Sequence, residues 1–142
     1  MSLQSTIETL AAAGGRADRD EARAAFDELK AALESGSVRS AQPDPGAPTG
    51  WRVNTWVKQG ILLGFRFGDL VDQSAGLPFS DKDTQSVQKF PIASNVRVVP
   101  GGSAIRGGAY VARGVICVPP MYVNIGAYLG EGDRKSTRLN SS

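Results

Sequence analysis

Few side chains in this sequence could do chemistry, and the shortage itself narrows the function. There is no histidine among the 142 residues. That removes imidazole general acid–base catalysis, a serine triad and His-ligated metal sites. The one cysteine, Cys117, rules out an internal disulfide framework and fits a reducing compartment. As a nucleophile it would need an electropositive, accessible setting, and the alternative is a small buried hydrophobe. Gly101-Gly102 and Gly107-Gly108 could cradle a phosphate, but no Gly-Lys-Ser/Thr follows either pair. Arg97 offers a different chemistry. A guanidinium fork can hold a carboxylate through two parallel hydrogen bonds. The alternative for Arg97 is an exposed strand arginine paired with a local acid.

A repeat must position these residues. Every sixth residue from Val99 is apolar or a buriable thiol: Val99, Ile105, Val111, Cys117, Val123, Leu129. Three places after each stands Gly102, Gly108, Gly114, Pro120, Gly126 or Gly132, and four places after stand Ser103, Ala109, Val115, Met121 and Ala127. This is a hexapeptide period, which builds coiled solenoids of short parallel strands. One small apolar residue enters the interior per face, and a turn residue follows at the corner. Cys117 falls on an inward position. Asn124 follows the inward Val123 and is expected outward or along a turn, and Glu131 at a corner is expected to be solvated.

The elements before the repeat are legible from spacing. Residues 2–36 read as two helices. Ser5-x-x-Glu8 resembles a capping box, with Leu3, Ile7 and Leu10 on one face and Gly14-Gly15 as the stop. Asp18-x-x-Glu21 opens the second helix, with Ala22, Phe26, Leu29 and Leu33 on one stripe and Gly36 as its end. Val38 to Gln42 could form a short strand, 43–50 is a Pro-rich loop, and Trp51 to Val53 alternates as a strand. Asn54 or Thr55 caps a helix through Phe65 that is apolar on most sides and is expected to be buried. Gly60 and Gly64 weaken its propensity, which close packing would explain. From Asp69 to Lys89 the chain is polar and mixed, with Phe79 and Phe90 expected as anchors. Val96 to Val99 is a strand feeding the repeat.

Hydrophobic residues make up 41% and charged residues 21%, within the range of globular proteins. The net charge of +2 resides in residues 133–142, which carry three basic groups and one acid; residues 1–132 hold 13 of each sign. No basic face therefore points to nucleic acid. No stretch is apolar and long enough to span a bilayer, and the start lacks a basic region followed by a hydrophobic core, so the expected location is cytoplasmic.

Three blocks carry a resemblance to a known family: 50–66 (Gly-Trp-Arg-Val-Asn-Thr-Trp-Val-Lys-Gln-Gly-Ile-Leu-Leu-Gly-Phe-Arg), 96–101 (Val-Arg-Val-Val-Pro-Gly) and 119–132 (Pro-Pro-Met-Tyr-Val-Asn-Ile-Gly-Ala-Tyr-Leu-Gly-Glu-Gly). Together they resemble the 2,3,4,5-tetrahydropyridine-2,6-dicarboxylate N-succinyltransferases of diaminopimelate and lysine biosynthesis. The two helices and 35–39 also fit that family's N-terminal domain. The resemblance implies an α+β chain: a helical N-terminal domain followed by the start of a left-handed parallel β-helix, truncated here. It implies a homotrimer that binds succinyl-CoA as co-substrate between neighbouring β-helices, with no bound cofactor and no metal for the chemistry. The acceptor is the amine of opened tetrahydrodipicolinate. Arg97, in Arg-Val-Val-Pro, matches the family's substrate-binding arginine.

The resemblance departs after Gly132. The family continues Thr-Met-Val-Asp, whose aspartate is the key carboxylate, whereas this chain reads Asp133-Arg134-Lys135-Ser136. No catalytic residue is therefore assigned within the chain. The next inward position would be Lys135, a costly charge to bury, and 133–142 resemble a translated sequencing adapter. The expected organisation is 1–50, a helical region with its Pro-rich loop; 51–95, a buried helix and connector; 96–132, the first coils; and 133–142, a non-native tail. The expected function is succinyl transfer to tetrahydrodipicolinate, with the fragment itself inactive. The alternatives are another hexapeptide acyltransferase or a non-catalytic β-solenoid module; the 50–66 block and the shortness of the repeat argue against them.

Overall fold

Local capping chemistry sets the first helices. In the computed structural model, which describes residues 1–72 and 79–132 and the backbone of 134–135, α1 spans Leu3–Ala13 and α2 spans Arg19–Ser35. Ser2 caps α1, its hydroxyl accepting the Ser5 N–H at 3.1 Å. Ser5 is therefore inside the first turn, and the expected Ser5 capping box is displaced by three residues. The α2 cap is as read: the Asp18 carboxylate accepts the Glu21 N–H at 2.9 Å. Gly36 closes the helix at φ 81°, a left-handed conformation that costs glycine little.

Two short strands follow, β1 (Ala41–Pro43) and β2 (Trp51–Val53), paired antiparallel with Ala41 opposite Val53. The first lies beyond the expected 38–42 start. Helix α3 (Thr55–Phe67) then packs on α1 and α2. It is not buried on most sides. Val57, Gly60, Leu63 and Gly64 form its buried face, while Leu62 is 54% and Phe65 40% exposed. Its apolar circumference exceeds the partner surface that α1 and α2 supply. The two glycines do what close packing requires. A Cβ on Gly60 would meet Leu29 and Ile7, and one on Gly64 would press into the Phe26 ring. The resulting core joins Ile7, Leu10, Phe26, Leu29, Leu33, Val57 and Leu63.

The polar stretch after α3 contains a hairpin that alternation did not reveal, β3 (Leu70–Asp72) antiparallel to β4 (Ser80–Lys82). Charge fastens its flanks. The Arg23 guanidinium donates to Asp83 at 2.8 Å and to the Phe67 carbonyl at 2.7 Å, and the Asp83 carboxylate also accepts the Asp69 N–H at 2.8 Å. Phe90 packs against the repeat core as expected. Phe79 does not act as an anchor and is 46% exposed.

The hexapeptide stretch forms seven two-residue strands: β5 (Arg97–Val98), β6 (Ala104–Ile105), β7 (Tyr110–Val111), β8 (Ile116–Cys117), β9 (Tyr122–Val123), β10 (Tyr128–Leu129) and β11 (Arg134–Lys135). They join in three parallel ladders, β5–β8–β11, β6–β9 and β7–β10. The pairs Ile105 with Val123 and Val111 with Leu129 each lie three hexads apart in the sequence. Between the ladders lies a second core of Ile105, Ala109, Ala112, Val115, Cys117, Val123 and Leu129. Repeat glycines such as Gly108 (φ 88°) and Gly126 (φ 91°) take the positive φ that the corners demand.

The first unit departs from the period. Val98, not Val99, lies opposite Cys117. Val99 is only half-buried and sits outside the inner core, so the inward register starts at Ile105. One additional residue in the corner containing Gly101 and Gly102, both at positive φ, absorbs the slip. At the other end, the backbone of Arg134–Lys135 continues the ladder with Lys135 opposite Cys117. The remainder of 133–142 lies outside the described residues. Among the described residues no helix is long and apolar enough to cross a membrane.

Candidate functional site

Arg97 opens the first ladder. Its backbone N–H donates to the Val115 carbonyl at 3.0 Å, which fixes the strand while the side chain stays exposed. It lines a groove of about 440 Å³ together with Phe90, Ile92, Val96, Val99 and Ser103. No acid among the described residues forms an ion pair with it. The local-acid alternative for Arg97 therefore finds no partner there. A cation on a mostly apolar concave wall suits an organic anion, since the walls hold a carbon skeleton and the fork holds its carboxylate. The Ser103 hydroxyl in the same groove is buried and has no hydrogen-bond partner.

The other residues weighed from the sequence have quieter settings. Cys117 is fully buried in the repeat core, the hydrophobe rather than the nucleophile. Glu131 is exposed. Asn124 is exposed, and its side-chain oxygen accepts the Ile125 N–H at 2.9 Å, an Asx-type contact within the corner. No group of three or more Cys, Asp or Glu side chains among the described residues could hold a metal. Asp133 lies outside the described residues.

A second arginine escaped the sequence reading. Arg106, just after the inward Ile105, pairs with Asp81, donates to the Gln85 carbonyl, and reaches the Tyr122 hydroxyl at 3.1 Å. Tyr122 in turn donates to Asn124 at 3.1 Å. Burial opposes the guanidinium's charge, but Tyr122 and Asp81 outweigh it and raise its pKa. This network borders a smaller hollow of about 350 Å³ with Phe79 and Val87. Its charge is already matched, so it fastens the 79–88 segment to the ladders. The only available signal was a charged residue beside an inward position; its partner lies 25 residues away in sequence.

Residues 2–67 match the family model described as "Tetrahydrodipicolinate N-succinyltransferase N-terminal". These residues, just under half of the chain, are similar to the N-terminal region of that family. It is 38% identical over 118 residues to a 2,3,4,5-tetrahydropyridine-2,6-dicarboxylate N-succinyltransferase of Xylella fastidiosa (strain 9a5c), an alignment covering 80% of this chain and 41% of that protein. It is 37% identical over 128 residues to the protein of the same name from Cereibacter sphaeroides (strain ATCC 17029), covering 85% and 45%. The Methylorubrum extorquens (strain PA1) protein of that name is 35% identical over 122 residues, covering 81% and 42%. The chain thus spans roughly two fifths of the length of these relatives. The α+β class and the helices-then-parallel-strands order stand as read from the sequence.

Proposed function

We propose that a protein containing this chain transfers succinyl from succinyl-CoA to the amine of tetrahydrodipicolinate, with Arg97 gripping an acceptor carboxylate. The observation that carries this is the setting of Arg97: an exposed guanidinium, without an acid partner among the described residues, in an apolar-walled groove of a chain whose relatives bear that enzyme name. Held by the carboxylate, the acceptor would present its amine to the thioester carbonyl. The nitrogen bonds to the succinyl carbon, the thiolate of CoA leaves, and a carboxylate base takes the amine proton. No residue described here fills that last role; on the family pattern it follows Gly132.

In this reading residues 1–50 and 51–95 form the helical N-terminal part and 96–132 the first coils of a left-handed parallel β-helix. The three parallel ladders and the three-hexad spacing of their partners support that architecture. Left-handedness, a homotrimer with succinyl-CoA bound between β-helices, and a cytoplasmic location come with the family resemblance. A longer protein carrying this chain and the missing coils should release CoA from succinyl-CoA only when tetrahydrodipicolinate is present. Arg97→Ala should raise the acceptor KM about ten- to a hundredfold, the span of one charge-assisted contact, and leave the KM for succinyl-CoA nearly unchanged. An unchanged acceptor KM would remove Arg97 from the site.

A further inference from the structure

Part of the wall of the Arg97 groove comes from outside the repeat. Val87, Gln88 and Phe90 line it together with residues of the first coil. What holds that segment is the edge of β6. Strand β6 pairs with β9 on one side. Its other side would leave backbone groups open, a liability for any strand. The chain at 86–88 takes that side. Val87 bridges Arg106 antiparallel, the Gln88 N–H donates to the Ile105 carbonyl at 2.7 Å, and the Gly107 N–H donates to the Ser86 carbonyl at 2.7 Å.

The side chain of Gln88 adds a second anchor. Its amide nitrogen donates to the Arg106 carbonyl at 3.2 Å and to the Ala109 carbonyl at 3.0 Å. Both partners can only accept, so a carboxylate or a thioether of similar length could not take its place. The two carbonyls flank the Gly107-Gly108 corner, whose Gly107 N–H is taken by Ser86. The corner thus turns these groups to the chain itself and not to a phosphate. Gln88 is half-buried and lies between the two apolar wall residues of its segment, one place after Val87 and two before Phe90.

We infer that Gln88 is a positioning residue for the Arg97 groove: its amide, locked on the carbonyls of Arg106 and Ala109, holds Val87 and Phe90 at the separation from β5 that fits a carbon skeleton beside the guanidinium fork. This rests on the reading of Arg97 as the anion-holding group. A very small carboxylate meets the fork alone and does not sense the wall. A carboxylate carrying a ring touches both. Loss of the Gln88 clamp therefore weakens the second and spares the first.

The test is titration of the full chain with acetate and with pyridine-2-carboxylate at constant ionic strength, followed by the NMR signal of the Arg97 side chain. Wild type should prefer the ring-bearing probe about tenfold, from the apolar area its ring buries. Gln88→Met keeps length and neutrality but cannot donate. It should cut the preference to about threefold or less and leave acetate binding as before. Gln88→Lys can donate to both carbonyls and should keep the preference, since its charge acts on both probes alike. Partial unfolding also scales both affinities alike, so the ratio is insensitive to it. Should Gln88→Met not fold, Gln88→Asn, whose amide is one carbon short of the second carbonyl, gives the same reading. An unchanged ratio in the donor-lacking variant overturns the inference, whether both affinities fall or neither does. A wild-type ratio near one overturns it too, because the wall then adds nothing. If neither probe moves the Arg97 signal of wild type, the Arg97 reading itself fails and the inference falls with it.

Discussion

Asp83 shows how one side chain can fasten a loop. The Arg23 guanidinium and then the Asp69 N–H hold its carboxyl at a pKa of about 2, below the ordinary aspartate range. A depressed folded-state pKa stabilises the fold above the unfolded value of about 4 and loses that contribution as pH falls towards 2. Asp83→Asn should therefore melt lower than wild type near neutral pH, and the gap should close progressively below about pH 4. A gap independent of pH would show that the ion pair is not what anchors the loop. Gln85 makes the opposite case. It is 1% exposed, and neither amide atom of its side chain has a partner. Replacing an unsatisfied buried amide with an apolar group of similar shape should stabilise; we expect Gln85→Met to gain about 1 kcal/mol or more in urea unfolding. Arg106 donates to the Gln85 backbone carbonyl, a bond that this change preserves.

At the scale of elements, the α3 glycines set the distance between helices. Gly64 lies against the Phe26 ring with no room for a methyl group. Gly64→Ala would ordinarily gain helix propensity of about 1 kcal/mol. Here overpacking should win, with a net loss of about 1–3 kcal/mol, measurable as a lower urea midpoint at unchanged slope. A stabilised Gly64→Ala would mean that α2 and α3 can separate at little cost. The ladders obey a different constraint. Their strands are two residues long, so no single strand has much pairing of its own, and the inner core of Ile105, Val115, Cys117, Val123 and Leu129 must hold the register. Where that core starts, the register slips by one residue and leaves Val99 for the groove.

Across the whole molecule, the helical and repeat regions share packing. Ile125, from a repeat corner, is buried with the helical core. The Ser40 hydroxyl donates to the Gly126 carbonyl at 3.0 Å, and Gly36 abuts the Tyr110 ring, which stacks on Tyr128 at 4.5 Å. The Arg39 guanidinium lies 3.8 Å from the Tyr128 ring centroid. The two regions should therefore unfold together. Ile125→Ala, although in the repeat, should destabilise the helices by about 2–5 kcal/mol, with far-ultraviolet and tyrosine signals moving in one transition. Two separated transitions would contradict this coupling.

Much of this was legible in the residues alone. The hexad period named the buried positions Ile105, Cys117, Val123 and Leu129 and the glycine corners, because a six-residue repeat leaves little choice of which side chain can be enclosed; Val111, on the same period, is half-buried and Ala112 beside it is enclosed instead. The Asp18 cap and the Gly36 stop followed from local chemistry that does not depend on distant neighbours, and Gly60 and Gly64 signalled a close approach without naming Ile7, Phe26 and Leu29 as what approaches. The α+β class, the family resemblance and the candidate role of Arg97 came from the same reading. Only the tertiary structure decided how much of α3 is covered, that Phe79 is exposed while Phe90 packs, and that Arg106 is matched by Asp81. These depend on which surfaces meet across long stretches of chain. The slip at Val99 belongs with them. The hexad spacing placed Val99 inward, and only pairing against β8 reveals that an extra residue in the following corner moves it out of the core and leaves Arg97 and Ser103 on one groove.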